Sequence, residues 1–380
     1  MKTIYVDDLE EESKAFLETL EGKNINFLIG AGASMPYLKT LALSNTDLSF
    51  EDLFEESSRD AGNKTSYNYL CACFVYNSII KGTYSEIDGR DGICKKLKEN
   101  YIEFLNSIYK ILSSNSIQQP KRANIFTTNY DMFFENAFDN IASKNSNINF
   151  NDGSYGFVNK TISTARFHTK ITRLGVDSRF EFEIPMFNLI KLHGSLNWAI
   201  ESNDKLCINN SMLESLKFSE KEIQEIDKLN SLIEGNEATT ILEIINKSIK
   251  GNYSRFAKIL DDLTIVKPTK RKFSKTVMEE HYYQMLRIFS QELERKQSVL
   301  IAFGFSFSDE HIQSIIKRSL SNPNLLVYIF CYNESDIEKF AQMFGTFNNI
   351  QLISLFSKHW LIRHRYRSGM RRMLDTDLLA

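Results

Sequence analysis

An open, doubly wound α/β sheet with mainly parallel strands is the fold class that this 380-residue sequence predicts. Three observations carry the prediction. Short apolar runs recur along the chain and stop at Gly or Asn. They are continuous rather than alternating, as expected of strands covered on both faces of a parallel sheet. Helix-periodic segments separate most of them, which is the alternation of a βαβ architecture.

The first run, "NINFLIG" (24–30), reads as a buried strand and breaks into Gly30, Ala31, Gly32, Ala33 and Ser34. The second, "ANIFTTN" (123–129), leads into the helical "YDMFFENAFDNI". "FNLIKLHG" (187–194) is the third, and "SVLIAFGF" (298–305) with the helix "DEHIQSIIKRSL" the fourth. "LLVYIFCYN" (325–333) and the weaker "NIQLIS" (349–354) complete the set. Residues 44–119 are mostly helical, and residues 205–295 are lysine-rich and then helical; both read as insertions or lids beside the sheet. The predicted organisation is a discontinuous core of 21–43, 120–204 and 296–356, an N-terminal segment 1–20, the two insertions, and a basic tail 357–380.

Lys and Arg number 46 against 48 Asp and Glu, a net charge of -2, so no overall field draws the chain to nucleic acid or an anionic membrane. No apolar run reaches the roughly 18–20 residues that span a bilayer. The first residues, "MKTIYVDDLEEESK", lack the pattern of a secretory signal. Five cysteines, scattered and odd in number, point to reduced thiols and a cytoplasmic protein. None is spaced like a zinc knuckle, and no metal site is expected.

The strand ends hold the chemistry, because ligands of open α/β sheets bind at the carboxyl edge. A strand, then Gly30-x-Gly32, then a helix start suits a phosphate. The dinucleotide fingerprint is half met, since Met35 stands at its third glycine. A tight turn that needs small residues explains the same letters. Asn129 and Asp131 follow the second strand, where an amide and a carboxylate face a ligand or simply form a turn. His193 ends the third on the same rim, in the position of a general base.

GAGAS (Gly30–Ser34), T-x-N-x-D (Thr127–Asp131), HG (His193–Gly194), a late Gly-x-Ser (Gly304–Ser306) and a strand ending in Asn333 appear in the motif order of the sirtuin family, which the sequence therefore resembles. "IVKPTKRK" (265–272) resembles the Pro-Thr and Lys signature of bacterial members. The resemblance implies a Rossmann-like sheet with helical insertions and NAD+ as the bound substrate. It implies Asn129 and His193 as catalytic residues, with Asp131 near the nicotinamide ribose. Gly30, Ala31, Gly32, Ala33, Ser34, Thr128, Gly304, Ser306, Asp309 and Asn333 would line the NAD+ site.

Departures narrow the expectation. Protein-deacylating sirtuins carry a four-cysteine zinc module after the HG histidine, whereas here only Cys207 lies between His193 and Cys331. "MPYLKTL" replaces their Pro-Asp-Phe-Arg run, and Thr128 replaces the Gln of T-Q-N-x-D. The pattern is closer to bacterial sirtuin-like NAD hydrolases of anti-phage defence, which implies an NAD glycohydrolase that works without zinc. ADP-ribosyl transfer, deacylation or non-catalytic NAD sensing are the alternatives. The same branch implies a homo-oligomer and, as partner, a DNA-translocating ATPase of the HerA type. The tail "RHRYRSGMRR" (363–372) reads as a solvated end or protein contact, with direct nucleic-acid contact as the alternative.

Overall fold

A computed structural model describes residues 2–5, 16–35, 37–38, 50–59, 64–80, 92–175, 180–201, 205–210, 218–233, 238–249, 251–266 and 280–354. Most of "IVKPTKRK", the acidic stretch after Tyr5 and the arginine-rich tail lie outside these residues.

In chain order the strands are β1 (Lys2–Tyr5), β2 (Asn24–Ile29), β3 (Arg122–Thr127), β4 (Asn149–Asn151), β5 (Ser154–Tyr155), β6 (Thr161–Ile162), β7 (Thr172–Leu174), β8 (Glu181–Glu183), β9 (Met186–Lys191), β10 (Trp198–Ile200), β11 (Leu206–Ile208), β12 (Ser298–Phe303), β13 (Leu325–Cys331) and β14 (Ile350–Ser354). Eight form one sheet in the order β1-β14-β13-β12-β2-β3-β9-β4. Every pairing within it is parallel. Its middle six strands, β9-β3-β2-β12-β13-β14, reproduce the doubly wound 3-2-1-4-5-6 order, so the sheet is Rossmann-like. The direction of winding reverses between β2 and β12.

All six strands read from the sequence are present. Two short edge strands are additions: β4, and β1, which draws part of the N-terminal segment 1–20 into the sheet. A small antiparallel sheet (β10-β11-β6-β5) and a hairpin (β7-β8) lie within or next to the core block 120–204.

The helices are α1 (Phe50–Arg59), α2 (Lys64–Phe74), α3 (Gly92–Ser114), α4 (Phe133–Ala142), α5 (Glu220–Ile233), α6 (Ala238–Ser248), α7 (Ser254–Asp262), α8 (Glu280–Leu293), α9 (Glu310–Ser319) and α10 (Glu334–Phe344). One apolar cluster packs α3 and α4 on one sheet face, through Leu105, Ile108, Phe134 and Phe27. A second packs α8, α9 and α10 on the other, through Phe289, Ile312, Phe340 and Leu300. The helices at both insertion ends therefore belong to the sheet's own covering layers. The other described helices of the two insertions form a third cluster shared between them: Leu53 and Leu70 meet Ile241, Ile245 and Phe256.

One face of the sheet carries an unexpected polar row. Asn26, Asn124, Asn188 and Asn151 occupy directly paired positions on β2, β3, β9 and β4. Asn124 Nδ2 donates to Asn26 Oδ1 at 2.8 Å, Asn188 Nδ2 to Asn124 Oδ1 at 2.8 Å, and Asn151 Nδ2 to Asn188 Oδ1 at 2.9 Å. Asn26 Nδ2 ends the row on Ser298 Oγ of β12. All four amides are buried. Because a one-residue slip would turn each amide to the opposite face, the row fixes the register of five strands.

Candidate active site

Parallel pairing brings the carboxyl ends of β12, β2, β3 and β9 to one edge, and the motifs with them. At the reversal between β2 and β12 the Gly30–Ser34 loop lies directly on the Gly304 loop. A Cβ on Gly30 would stand 2.5 Å from Gly304 O, and one on Gly32 2.9 Å from Gly304 Cα. Gly304 itself has φ +62, and a Cβ there would meet Ala33 N at 2.3 Å. Gly32 N–H donates to Gly304 O at 2.9 Å, and Gly30 N–H to Phe303 O at 3.0 Å. The glycines thus serve loop-on-loop packing, and these two amides are spent on protein carbonyls rather than pointing at a phosphate.

Asn129 is buried behind β3, its backbone N–H held by Thr127 Oγ1 at 3.0 Å. Its Nδ2 donates to Gly30 O at 3.2 Å. Only the NH2 group can donate to a carbonyl, so this bond fixes the orientation of the amide. Asn129 Oδ1 is then a buried acceptor with no protein donor. Such groups are rare in folded proteins, and their partner is usually water or ligand.

Asp131 is buried beside it, with Oδ1 accepting from Phe133 N–H at 3.2 Å and Oδ2 from Ser34 Oγ at 3.2 Å. Ser34 Oγ also lies 2.9 Å from the Tyr101 hydroxyl. With Asp131 ionised, Ser34 spends its one proton on the carboxylate, so Tyr101 must donate to Ser34. Burial, then the Asp131 charge, hold the Tyr101 phenol neutral by raising its pKa well above the ordinary value. Burial also raises Asp131, against the opposing pull of Lys191. Ser34 therefore faces inward to this network and not toward a phosphate, and no side-chain cap bond is made at that helix start.

Beneath this row Lys191, itself buried, pairs with Glu135 Oε1 at 2.7 Å and donates to Asp131 O at 2.5 Å and Ser195 Oγ at 2.9 Å. Burial raises Glu135, Lys191 opposes it, and Asp131 adds to the rise. His193 follows two residues after Lys191. Its carbonyl accepts from Val266 N–H at 2.8 Å. Gly194 has φ +88, and a Cβ there would stand 2.2 Å from Thr264 O, so the HG pair needs its glycine. His193 Nε2 lies 3.0 Å from Asp309 Oδ2, with both side chains largely buried.

Residues 123–353 match the SIR2-like domain, 231 of the chain's 380 residues. The chain belongs to the SIR2-like family. Membership implies NAD binding and an NAD-using enzyme, and Asn129 and His193 both stand inside the matched region. No curated protein matches this chain. The SIR2-like match begins at Ala123, so the Gly30–Ser34 loop reaches the site through sheet pairing, from outside the matched span.

Other predicted positions of this SIR2-like chain are accounted for locally. Thr128 N–H donates to Ile29 O at 3.2 Å. Ala31 is exposed and Ala33 half-buried at the loop surface. Ser306 is exposed, bonded to Ser308 Oγ at 2.9 Å. Asn333 makes a capping box with Asp336 at the start of α10, the helix-start reading of such residues. Asp309 caps α9 and also reaches His193, 116 positions away in sequence. Tyr101, Glu135, Lys191 and Ser195 were missed by sequence reasoning. Only Lys191 carried a signal, a lysine interrupting an otherwise apolar strand. Among the described residues no group of three His, Cys, Asp or Glu is placed to hold a metal, and no helix is long and apolar enough to cross a membrane. The cysteines are free thiols.

Proposed function

We propose that the protein is an NAD glycohydrolase, cleaving NAD+ to nicotinamide and ADP-ribose. The observation that carries the reading is Asn129 Oδ1, a buried acceptor with its amide orientation fixed and no protein donor to satisfy it. A water or a ribose hydroxyl satisfies that atom, and an attacking water held there is oriented by it. Nicotinamide leaves neutral from a cationic ring, so departure needs no strong general acid. The demand is for support of an oxocarbenium-like ribose and for a base that takes the water's proton. His193 is that base. Asp131 sits behind Asn129 with both carboxylate oxygens already hydrogen-bonded, so it supports the site by charge and by holding Ser34 and Tyr101.

Nothing in this chemistry uses zinc, in keeping with the missing cysteine module. An anti-phage role, self-assembly into a homo-oligomer and a HerA-type ATPase partner rest on the resemblance to the bacterial branch. The test is nicotinamide release from NAD+ by the full-length protein, alone and with candidate partners. Asn129→Ala and His193→Ala are expected to abolish release while folding normally. Turnover at the wild-type rate by both folded variants overturns the reading, as does stoichiometric acetyl-ADP-ribose formation from acetyl-lysine peptides.

A further inference from the structure

We infer that Asp309 is a positioning residue that fixes the tautomer of His193, making Nδ1 the proton-accepting atom; this rests on His193 being the base proposed above. The carboxylate is divided between two tasks. Oδ1 accepts from the backbone N–H groups of His311 at 3.0 Å and Ile312 at 3.1 Å, capping α9. Oδ2 faces His193 Nε2 at 3.0 Å. The two cap bonds hold the carboxylate in place at a helix N-terminus, where negative charge is favourable. An ionised carboxylate only accepts, so Nε2 carries the ring proton and Nδ1 keeps the lone pair.

The loop that delivers Asp309 is built to one conformation. Gly304 and, unusually for a bulky residue, Phe307 both have positive φ, +62 and +57. The Phe307 ring is fully buried against Phe305, Phe340 and Phe344. Lys339 Nζ donates to Ser306 O at 3.0 Å and Gln313 Nε2 to Phe307 O at 3.3 Å. A backbone strained at Phe307 and pinned from α9 and α10 persists only where its surroundings over-determine it. What it delivers is the oxygen facing His193.

The deciding variant is Asp309→Asn in the full-length protein. Asn caps a helix about as well as Asp, so α9 is preserved. Its NH2 turned toward His193 can only donate, which moves the ring proton to Nδ1 and removes the base. Nicotinamide release should fall roughly a hundred- to ten-thousand-fold in kcat, with KM for NAD+ unchanged. Side-chain 15N chemical shifts of His193 should report an Nε2–H tautomer in the wild type and Nδ1–H in the variant. A raised KM at unchanged kcat would make Asp309 a ligand contact and overturn the proposal. So would a wild-type His193 already in the Nδ1–H form, a measurement that needs no variant and no activity. If the wild type releases no nicotinamide under any condition, the glycohydrolase reading fails while the 15N measurement still decides the pairing.

Discussion

Asn124 sits in the middle of the buried amide row, and truncating it tests whether the row holds the sheet together. Asn124→Ala removes two hydrogen bonds of 2.8 Å. Asn26 Oδ1 loses its donor outright, because the other side-chain bonds of Asn26 leave from Nδ2. Asn188 Nδ2 keeps one proton occupied on Phe167 O at 3.0 Å and strands the other. Two buried polar groups left unsatisfied at about 1–3 kcal/mol each give a loss of about 2–6 kcal/mol. An unfolding entropy near 2.1 cal/mol/K per residue over this chain gives about 0.8 kcal/mol/K, so Tm should drop by roughly 3–8 °C. The assay is thermal and urea unfolding followed by circular dichroism, with exposed Asn140→Ala as a control expected to stay within about 0.5 kcal/mol. The double variant Asn26→Ala/Asn124→Ala should cost less than the sum of the singles, because the orphaned Oδ1 is gone. Asn124→Ala matching the control, or strict additivity in the double variant, would refute a cooperative row.

Asp131→Asn should be more stable than wild type near neutral pH, at the expense of activity. Burial raises the folded-state pKa of Asp131, so its charge opposes folding once pH rises above the unfolded value of about 3.9. The gain in Tm should be small at pH 4 and grow as pH rises above it; a pH-independent difference would contradict the burial argument. Lys191→Met leaves Glu135 buried without its cation and should cost about 3–5 kcal/mol, most of it recovered in Lys191→Met/Glu135→Gln. Urea midpoints of the three proteins check this, and failure of the second change to rescue would count against the pair. Gly194→Ala should lower stability by at least about 1 kcal/mol through its positive φ and the Thr264 contact, and should abolish nicotinamide release. A variant with wild-type Tm and rate would show that the HG backbone is not constrained.

Much of the fold was legible because the central strands are runs of mostly apolar residues closed by Gly, Asn or His. The edge strands were not: β1 has four residues and β4 three, too few for a period to show. The asparagine row was passed over because each amide is a single letter within an apolar run. Yet Asn26, Asn124 and Asn188 each stand three residues before the end of their strand, a shared offset that betrays the register. At the site, the strand-end residues could be picked out, but the direction of their side chains could not. The resemblance puts Ser34 and Asp309 on the NAD+ site, and it does not tell that the Ser34 hydroxyl reaches Asp131 or that the Asp309 carboxylate reaches His193. Both pairings join residues about a hundred positions apart, a distance over which local pattern carries no information.

The helical cluster assembled from both insertions ties the two stretches together as a unit of change. Its members come from α1 and α2 on one side of the chain and from α5, α6 and α7 on the other, with Leu196 of the HG loop buried among them. The helices of one stretch cannot be removed alone without baring the apolar face of the other's, a patch that would invite aggregation. Sequence drift in this layer must therefore proceed by matched steps in segments more than a hundred residues apart. Each such step is also felt through Leu196, three positions from His193, so this outer layer can retune the site without altering any residue of the strand-end motifs.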